Sequence, residues 1–344
     1  MGTGVSLNSG IASGEAVLSG SGLSTAGAWA IATVGNITSN ASQIFTPLNT
    51  AFPLISDTLR LMDKIFIFLQ YIVPQHLLSR MTGWLAELEH PVWLKSWVIG
   101  LFINHFKVDM SEAAEPDHEK YPNFNAFFTR PLLEGARPLA SADVVCPADG
   151  AISQLGDIVG GRIFQAKGQD YSAFELLGGD AEWAERFAGG KFATIYLSPR
   201  DYHRVHMPVA GRLLATTYVP GDLFSVNGTT AENVDRLFAR NERLVCYFET
   251  GFGPMAMILV GAMVVAGIET VWGGQVAPPP KTPQSQRFDG QVDPVELARG
   301  DEMGRFKLGS TVILLFPENS VEWDEQYQAG TSTTLGQALA SAVD

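Results

Sequence analysis

Lys307-Leu308-Gly309-Ser310-Thr311-Val312-Ile313-Leu314-Leu315-Phe316 sets a Gly-Ser bond directly ahead of an apolar run. The run is short, rich in branched aliphatic side chains and strand-like. Gly309 has no Cβ, so the backbone can turn tightly there at little steric cost. Its carbonyl carbon is then open to the hydroxyl of the next residue, Ser310. Attack converts the amide to an ester by an N-to-O acyl shift. Elimination across the Ser310 Cα–Cβ bond releases that ester and leaves a dehydroalanine, which hydrolyses to a pyruvoyl group. The same residues also make an ordinary turn before a strand, so the chemistry depends on what the rest of the chain brings to the serine.

Upstream of the serine the texture is β-like as far back as Val144. Phe192–Leu197, Leu244–Phe248, Ala256–Val260 and Val264–Val271 are short apolar runs separated by Gly, Pro, Asn and Asp, the pattern of strands and turns. Helical interruptions are expected at about 173–187 and 231–239, and 278–290, which opens with three prolines, reads as loop. Residues 144–317 are therefore expected to form one mostly antiparallel β domain, with 318–344 as a tail.

The first 143 residues differ. Residues 1–61 are rich in Gly, Ser, Ala, Thr and Asn and read as a flexible extension, with Met62 as a plausible native start. Ile65–Val73 is apolar apart from Gln70, and Trp93, Trp97, Val98, Leu101, Phe102 and Phe106 recur at helical spacing. Neither segment reaches the roughly 20 apolar residues that span a bilayer. They fit a pair of core helices or helices lying in a membrane interface. Tyr121–Leu132 reads as a short aromatic helix closed by Pro131. The fold class expected is α+β, with an N-terminal helical region over 62–143.

Composition narrows the function. The chain has 344 residues, 46% hydrophobic and 17% charged, and a net charge of -13. That balance excludes nucleic acid as a partner but leaves a membrane surface open, because apolar insertion needs no basic excess. Cys146 and Cys246 form no disulfide framework or zinc spacing and read as buried thiols in a reducing compartment.

The residues able to do chemistry are few. Asp149 sits in the turn Cys146-Pro147-Ala148-Asp149-Gly150. Leu197–Pro208 gathers His203 and His206 with arginine, aspartate and tyrosine. No further His/Cys cluster completes a metal site, so no metal is expected. A histidine is the usual base for a serine hydroxyl, and a carboxylate behind it fixes its tautomer. Asp149, His206 and Ser310 are candidates for such a set. Phe224, Ser225 and Asn227, with Arg240 and Arg243, are candidates for a pocket around an anionic headgroup.

In these blocks the chain resembles the bacterial phosphatidylserine decarboxylases. The matching pieces are 124–132, 147–150, 196–208, 219–227, 238–243, 253–262 and 304–311, in order and compatibly spaced from about residue 62 to 316. The resemblance implies self-cleavage between Gly309 and Ser310 into a large β chain and a small α chain that stay together as a heterodimer, with a homo-oligomer of that unit expected. It implies that Asp149, His206 and Ser310 perform the cut, that Ser310 becomes a covalent pyruvoyl cofactor in place of pyridoxal phosphate, and that His203 assists decarboxylation. That ketone would form a Schiff base with the serine amine of phosphatidylserine and accept the electrons released with CO2. The helices of 62–110 would hold the enzyme peripherally on the cytoplasmic face of the cell membrane. Two alternatives remain at this point: a pyruvoyl decarboxylase of a soluble amino acid, and a non-catalytic lipid-binding module.

Overall fold

The computed structural model describes residues 53–263, 267–276, 281–307 and 310–343, with the side chains of 53–60 outside that description. Residues 1–52 of the expected extension, Gly309 and the prolines at 278–280 thus lie outside the described residues. Helix α1 (Pro53–Ile72) runs without interruption across Met62, so the expected boundary at residue 61 is not a structural one. Pro74 forces the break to α2 (Gln75–Ala86). The corner is pinned by side-chain amides. Gln70 Oε1 accepts the Ser225 N–H at 2.8 Å and Gln75 Oε1 accepts the Leu223 N–H at 2.6 Å.

Helix α3 (Val92–Phe106) ends where Lys107 turns left-handed at φ 59°. Its Phe102 meets Phe124, Phe127 and Phe128 edge-to-face at 5.1, 5.9 and 5.9 Å between centroids. The three phenylalanines belong to α4 (Phe124–Phe128), capped by Asn123 accepting the Ala126 N–H. These helices form a cap whose inner side is aromatic. Its outer side also carries exposed apolar side chains, with Phe68 63%, Trp84 66% and Trp93 71% exposed. Among the described residues no helix is long and apolar enough to cross a membrane.

The β domain is built on a nine-stranded antiparallel sheet. Its principal strands are β1 (Gly150–Asp157), β2 (Lys191–Leu197), β4 (Gly211–Val219), β5 (Arg243–Thr250), β6 (Gly253–Gly261) and β8 (Ser310–Phe316). Across the sheet they run β4-β5-β6-β8-β2-β1. A smaller four-stranded sheet contains β3 (Arg204–His206) and β7 (Glu302–Lys307). Strand β8 is central and buried on both faces, hence its unbroken apolar run. Val312, Leu314 and Phe316 pack with Val205, Met207, Met303 and Phe306 between the two sheets, whereas Ile313 and Leu315 pack with Ile258 and Tyr247 on the other face. Both inserts are helical, each as two short helices: Ala173–Leu176 with Ala181–Arg186, and Gly228–Asn233 with Leu237–Arg240.

The expected C-terminal tail is no tail. Val321–Trp323 and Ala338–Ala342 pair with each other, Ala338–Ala342 also with Val144–Val145, and Ser332–Thr333 with the start of β1. Val321 and Leu339 are fully buried, so burial of apolar side chains holds the segment in place.

Candidate active site

Ser310 opens β8 with its backbone paired on both sides, opposite Leu197 in β2 and Gly261 in β6. Strand alternation turns its side chain to the face it shares with Val312, between the sheets. Ser310 is 0% exposed, and its Oγ has no hydrogen-bond partner among the described residues. From Leu197 the chain loops through 198–202 to His203, whose carbonyl oxygen accepts the Phe306 N–H at 3.0 Å. Phe306 lies four residues ahead of Ser310. Both ends of the loop are thus tied to strands that flank the serine.

His203 is wholly buried, its ring centroid 4.0 Å from that of Phe128. Nδ1 faces the Asp201 carbonyl oxygen at 2.8 Å and must be the protonated nitrogen. Nε2 therefore carries the lone pair, and it has no partner among the described residues. Burial lowers the His203 pKa from 6.5 to about 3, so the ring stays neutral near pH 7. His206 has the same tautomer for the same reason: Nδ1 donates to the Gly300 carbonyl oxygen at 2.8 Å. Its Nε2 lies 3.2 Å from the Tyr202 hydroxyl and accepts from it. Burial, working against the Gly300 bond and the Glu302 charge, lowers the His206 pKa too. Burial also pushes the Tyr202 hydroxyl up to about 12, which keeps it a donor.

Asp149 is set by its neighbour. A Cβ on Gly150 would run into the carbonyl oxygen of Tyr196, so glycine lets β1 pass this close to β2 and fixes the aspartate one residue earlier. Arg137 forks onto the carboxylate, Nε at 3.0 Å from Oδ1 and Nη2 at 2.7 Å from Oδ2. The Leu335 N–H takes Oδ1 at 2.8 Å. Glu112 accepts from the same Nη2 at 2.6 Å. The carboxylate bond pushes the Arg137 guanidinium pKa further up.

The structure gathers Asp149, His203 and His206 around the loop beside Ser310, but no hydrogen bond joins Asp149, His206 and Ser310 in series. Asp149 is held by Arg137, and both His206 nitrogens are engaged. Arg137 carries no signal in the sequence, because an arginine in a Gly-Ala-Arg-Pro loop reads as solvated.

The expected headgroup cluster divides. Arg243 is buried and spends its donors on the carbonyl oxygens of Leu176, Asn241 and Glu175 at 2.7, 2.8 and 2.6 Å. It is a tie within the core, which corrects its placement in a ligand pocket. Asn227 is likewise taken, its Oδ1 capping the helix Gly228–Asn233 at the Thr230 N–H. Phe224 is buried, and the Ser225 N–H is bound to Gln70 as described. Arg240 is the half-open member. It pairs with Asp222 at 2.9 Å and lies 4.7 Å from the Phe224 ring and 5.7 Å from that of Tyr71 in α1.

A sequence profile described as phosphatidylserine decarboxylase matches residues 124–341, from the first residue of α4 into the last strand. The chain belongs to the phosphatidylserine decarboxylase family. A second profile, described as PSD, falls on residues 65–107 in the helical cap. Over 283 residues the chain is 58% identical to the phosphatidylserine decarboxylase proenzyme of Ectopseudomonas mendocina, covering 81% of this chain and 99% of that one. It is 56% identical over 283 residues to the proenzyme of that name from Stutzerimonas stutzeri, covering 81% and 95%. With that from Pseudomonas aeruginosa (strain LESB58) the identity is 57% over 281 residues, covering 81% and 97%.

Proposed function

We infer that the chain is a proenzyme that cuts itself ahead of Ser310 and then converts phosphatidylserine to phosphatidylethanolamine and CO2. The observation that carries this reading is the buried Oγ of Ser310, without a partner among the described residues, at the head of a central strand, in a chain so close to decarboxylase proenzymes. A buried hydroxyl without a partner costs about 1–3 kcal/mol and is kept where it has work to do. The same dry position suits a pyruvoyl group made from this residue. That group would supply a carbonyl able to couple to the substrate amine and to accept the electron pair that CO2 leaves behind.

The chain's own residues take the remaining roles. For the cut, His206 Nε2 is the basic atom, because Gly300 holds the proton on Nδ1; the Tyr202 hydroxyl occupies that lone pair until the serine replaces it. Asp149 holds negative charge beside the imidazole that becomes protonated. For the lyase step, His203 Nε2 offers a bare lone pair in a water-poor site. It can take the proton that the substrate ammonium must lose, and return it to the substrate Cα once CO2 has gone. The exposed apolar face of α1–α3 rests on the bilayer as a peripheral anchor, with Arg240 beside it for anionic headgroups. The same face weighs against a soluble amino acid as substrate.

Intact mass of the purified protein tests the first step: two chains are expected, the smaller beginning at position 310 and blocked by a carbonyl-trapping amine. Phosphatidylserine vesicles test the second by release of phosphatidylethanolamine. A single uncut chain, or cut chains without lyase activity, would refute the reading.

A further inference from the structure

We propose that Arg130 is the anion-binding residue of this active centre and holds the phosphodiester of the substrate headgroup; this rests on the decarboxylase reading above. Arg130 follows α4 at the seam between cap and sheets and is 3% exposed. Its Nη2 reaches the Arg200 carbonyl oxygen at 3.3 Å, and its guanidinium carbon lies 5.5 Å from the Phe127 ring. Its Nε–H has no partner, and no carboxylate lies within ion-pairing distance among the described residues. Other arginines removed from solvent here are spent. Arg243 binds three carbonyls, Arg137 forks onto Asp149, and Arg204 bonds the Thr129 carbonyl oxygen and Glu302, each at 2.8 Å. A guanidinium taken out of water without a contacting counter-ion is costly, even with the Asp149 and Asp201 charges near enough to act on it, and its fork geometry suits a tetrahedral or planar anion.

Position narrows the anion. Phe128, two residues earlier, lies against the His203 ring, and the Arg204 bond to Thr129 fixes this segment along the histidine loop. The two unpartnered atoms, Arg130 Nε and His203 Nε2, therefore belong to adjoining segments. The substrate has two anions to offer. Its carboxylate loses its charge as CO2, so a cation bound there would favour the ground state over the transition state. Its phosphodiester keeps its charge throughout and is separated from the reacting amine by only an O–Cβ–Cα link. Binding it lowers KM without opposing the chemistry. Burial lowers the Arg130 pKa, but arginine remains charged near pH 7.

The test compares wild type and Arg130→Gln on short-chain phosphatidylserine and on an O-acylserine of similar length, which keeps the free amine and carboxylate but has no phosphate, both enzymes in the self-cleaved form verified by mass. The wild-type preference for the phosphodiester, as a ratio of kcat/KM values, is expected to fall about 10- to 100-fold, carried by KM. Arg130→Lys should restore part of that preference. An unchanged ratio, or a loss confined to kcat, overturns the proposal while leaving the decarboxylase reading standing. Should the variant fail to fold, the wild-type enzyme still decides. Dimethyl phosphate is expected to inhibit competitively and neutral trimethyl phosphate not to; equal effects of the two, or stronger inhibition by inorganic phosphate, overturn it.

Discussion

Replacing Ser310 by alanine should do two opposite things. It removes the hydroxyl of the residue that follows the bond to be cut, so no small chain forms. It should also make the uncut protein more stable. The Oγ is fully buried and has no partner among the described residues, and such a group costs about 1–3 kcal/mol. Alanine keeps the backbone pairs to Leu197 and Gly261 and leaves a void of one small atom, whose lost contacts subtract several tenths of that, roughly, on the usual cavity scale. The net gain is about 1 kcal/mol, or a Tm increase of roughly 2–4 °C for a domain of this kind. Cleavage of wild type would confound the comparison, so the pair is measured in a background already uncut, Asp149→Asn with and without Ser310→Ala, by thermal and urea unfolding. Destabilisation by more than about 1 kcal/mol would show that the hydroxyl is bonded in the folded precursor, and the argument for an unpartnered, reactive serine would fall.

Three further outcomes are expected. Arg137→Met strands the Asp149 carboxylate against a single N–H and should cost about 3–5 kcal/mol in the uncut precursor, with Arg137→Lys recovering only part because an ammonium cannot fork; a loss below about 1 kcal/mol in the urea midpoint refutes the pairing. His203 is held neutral, its pKa lowered from 6.5 to about 3, so below pH 6.5 the unfolded chain binds a proton that the folded one refuses. The stability present above pH 6.5 is therefore lost as pH falls, by about 1.4 kcal/mol per unit, and His203→Gln should flatten the fall of Tm between pH 6.5 and 4. Changing Trp84, Trp93 and Trp97 together to serine should weaken flotation with phosphatidylserine vesicles on the order of 100-fold, with chain cleavage intact; undiminished flotation would move the membrane contact elsewhere.

The β domain was readable because strand signals are local. Short branched and aromatic runs between Gly, Pro and Asp survive as β2, β5, β6 and β8 almost residue for residue. Ser310 was readable as a candidate because the bond it would attack is the one to its own neighbour, Gly309. The rest depends on partners far along the chain. Nothing near Arg243 says that its donors end on Leu176 and Glu175, and nothing near Arg130 says that its Nε–H lacks such an end among the described residues. Residues 318–344 look like a tail because their strands are two to five residues long, too short for a periodic signal, and exist only through pairing with Val144–Val145 and β1. Helix α1 hid its first residues because the low-complexity composition upstream of Met62 masked the apolar pattern.

The central place of β8 decides what a cut ahead of Ser310 can mean mechanically. The small fragment would begin with a strand clasped between β6 and β2 and would end with another laid against Val144–Val145. Pulling it out would tear ladders on both sides and expose two cores. The halves are therefore interwoven like threads of one cloth: dilution should not part them, and they should melt together at one temperature.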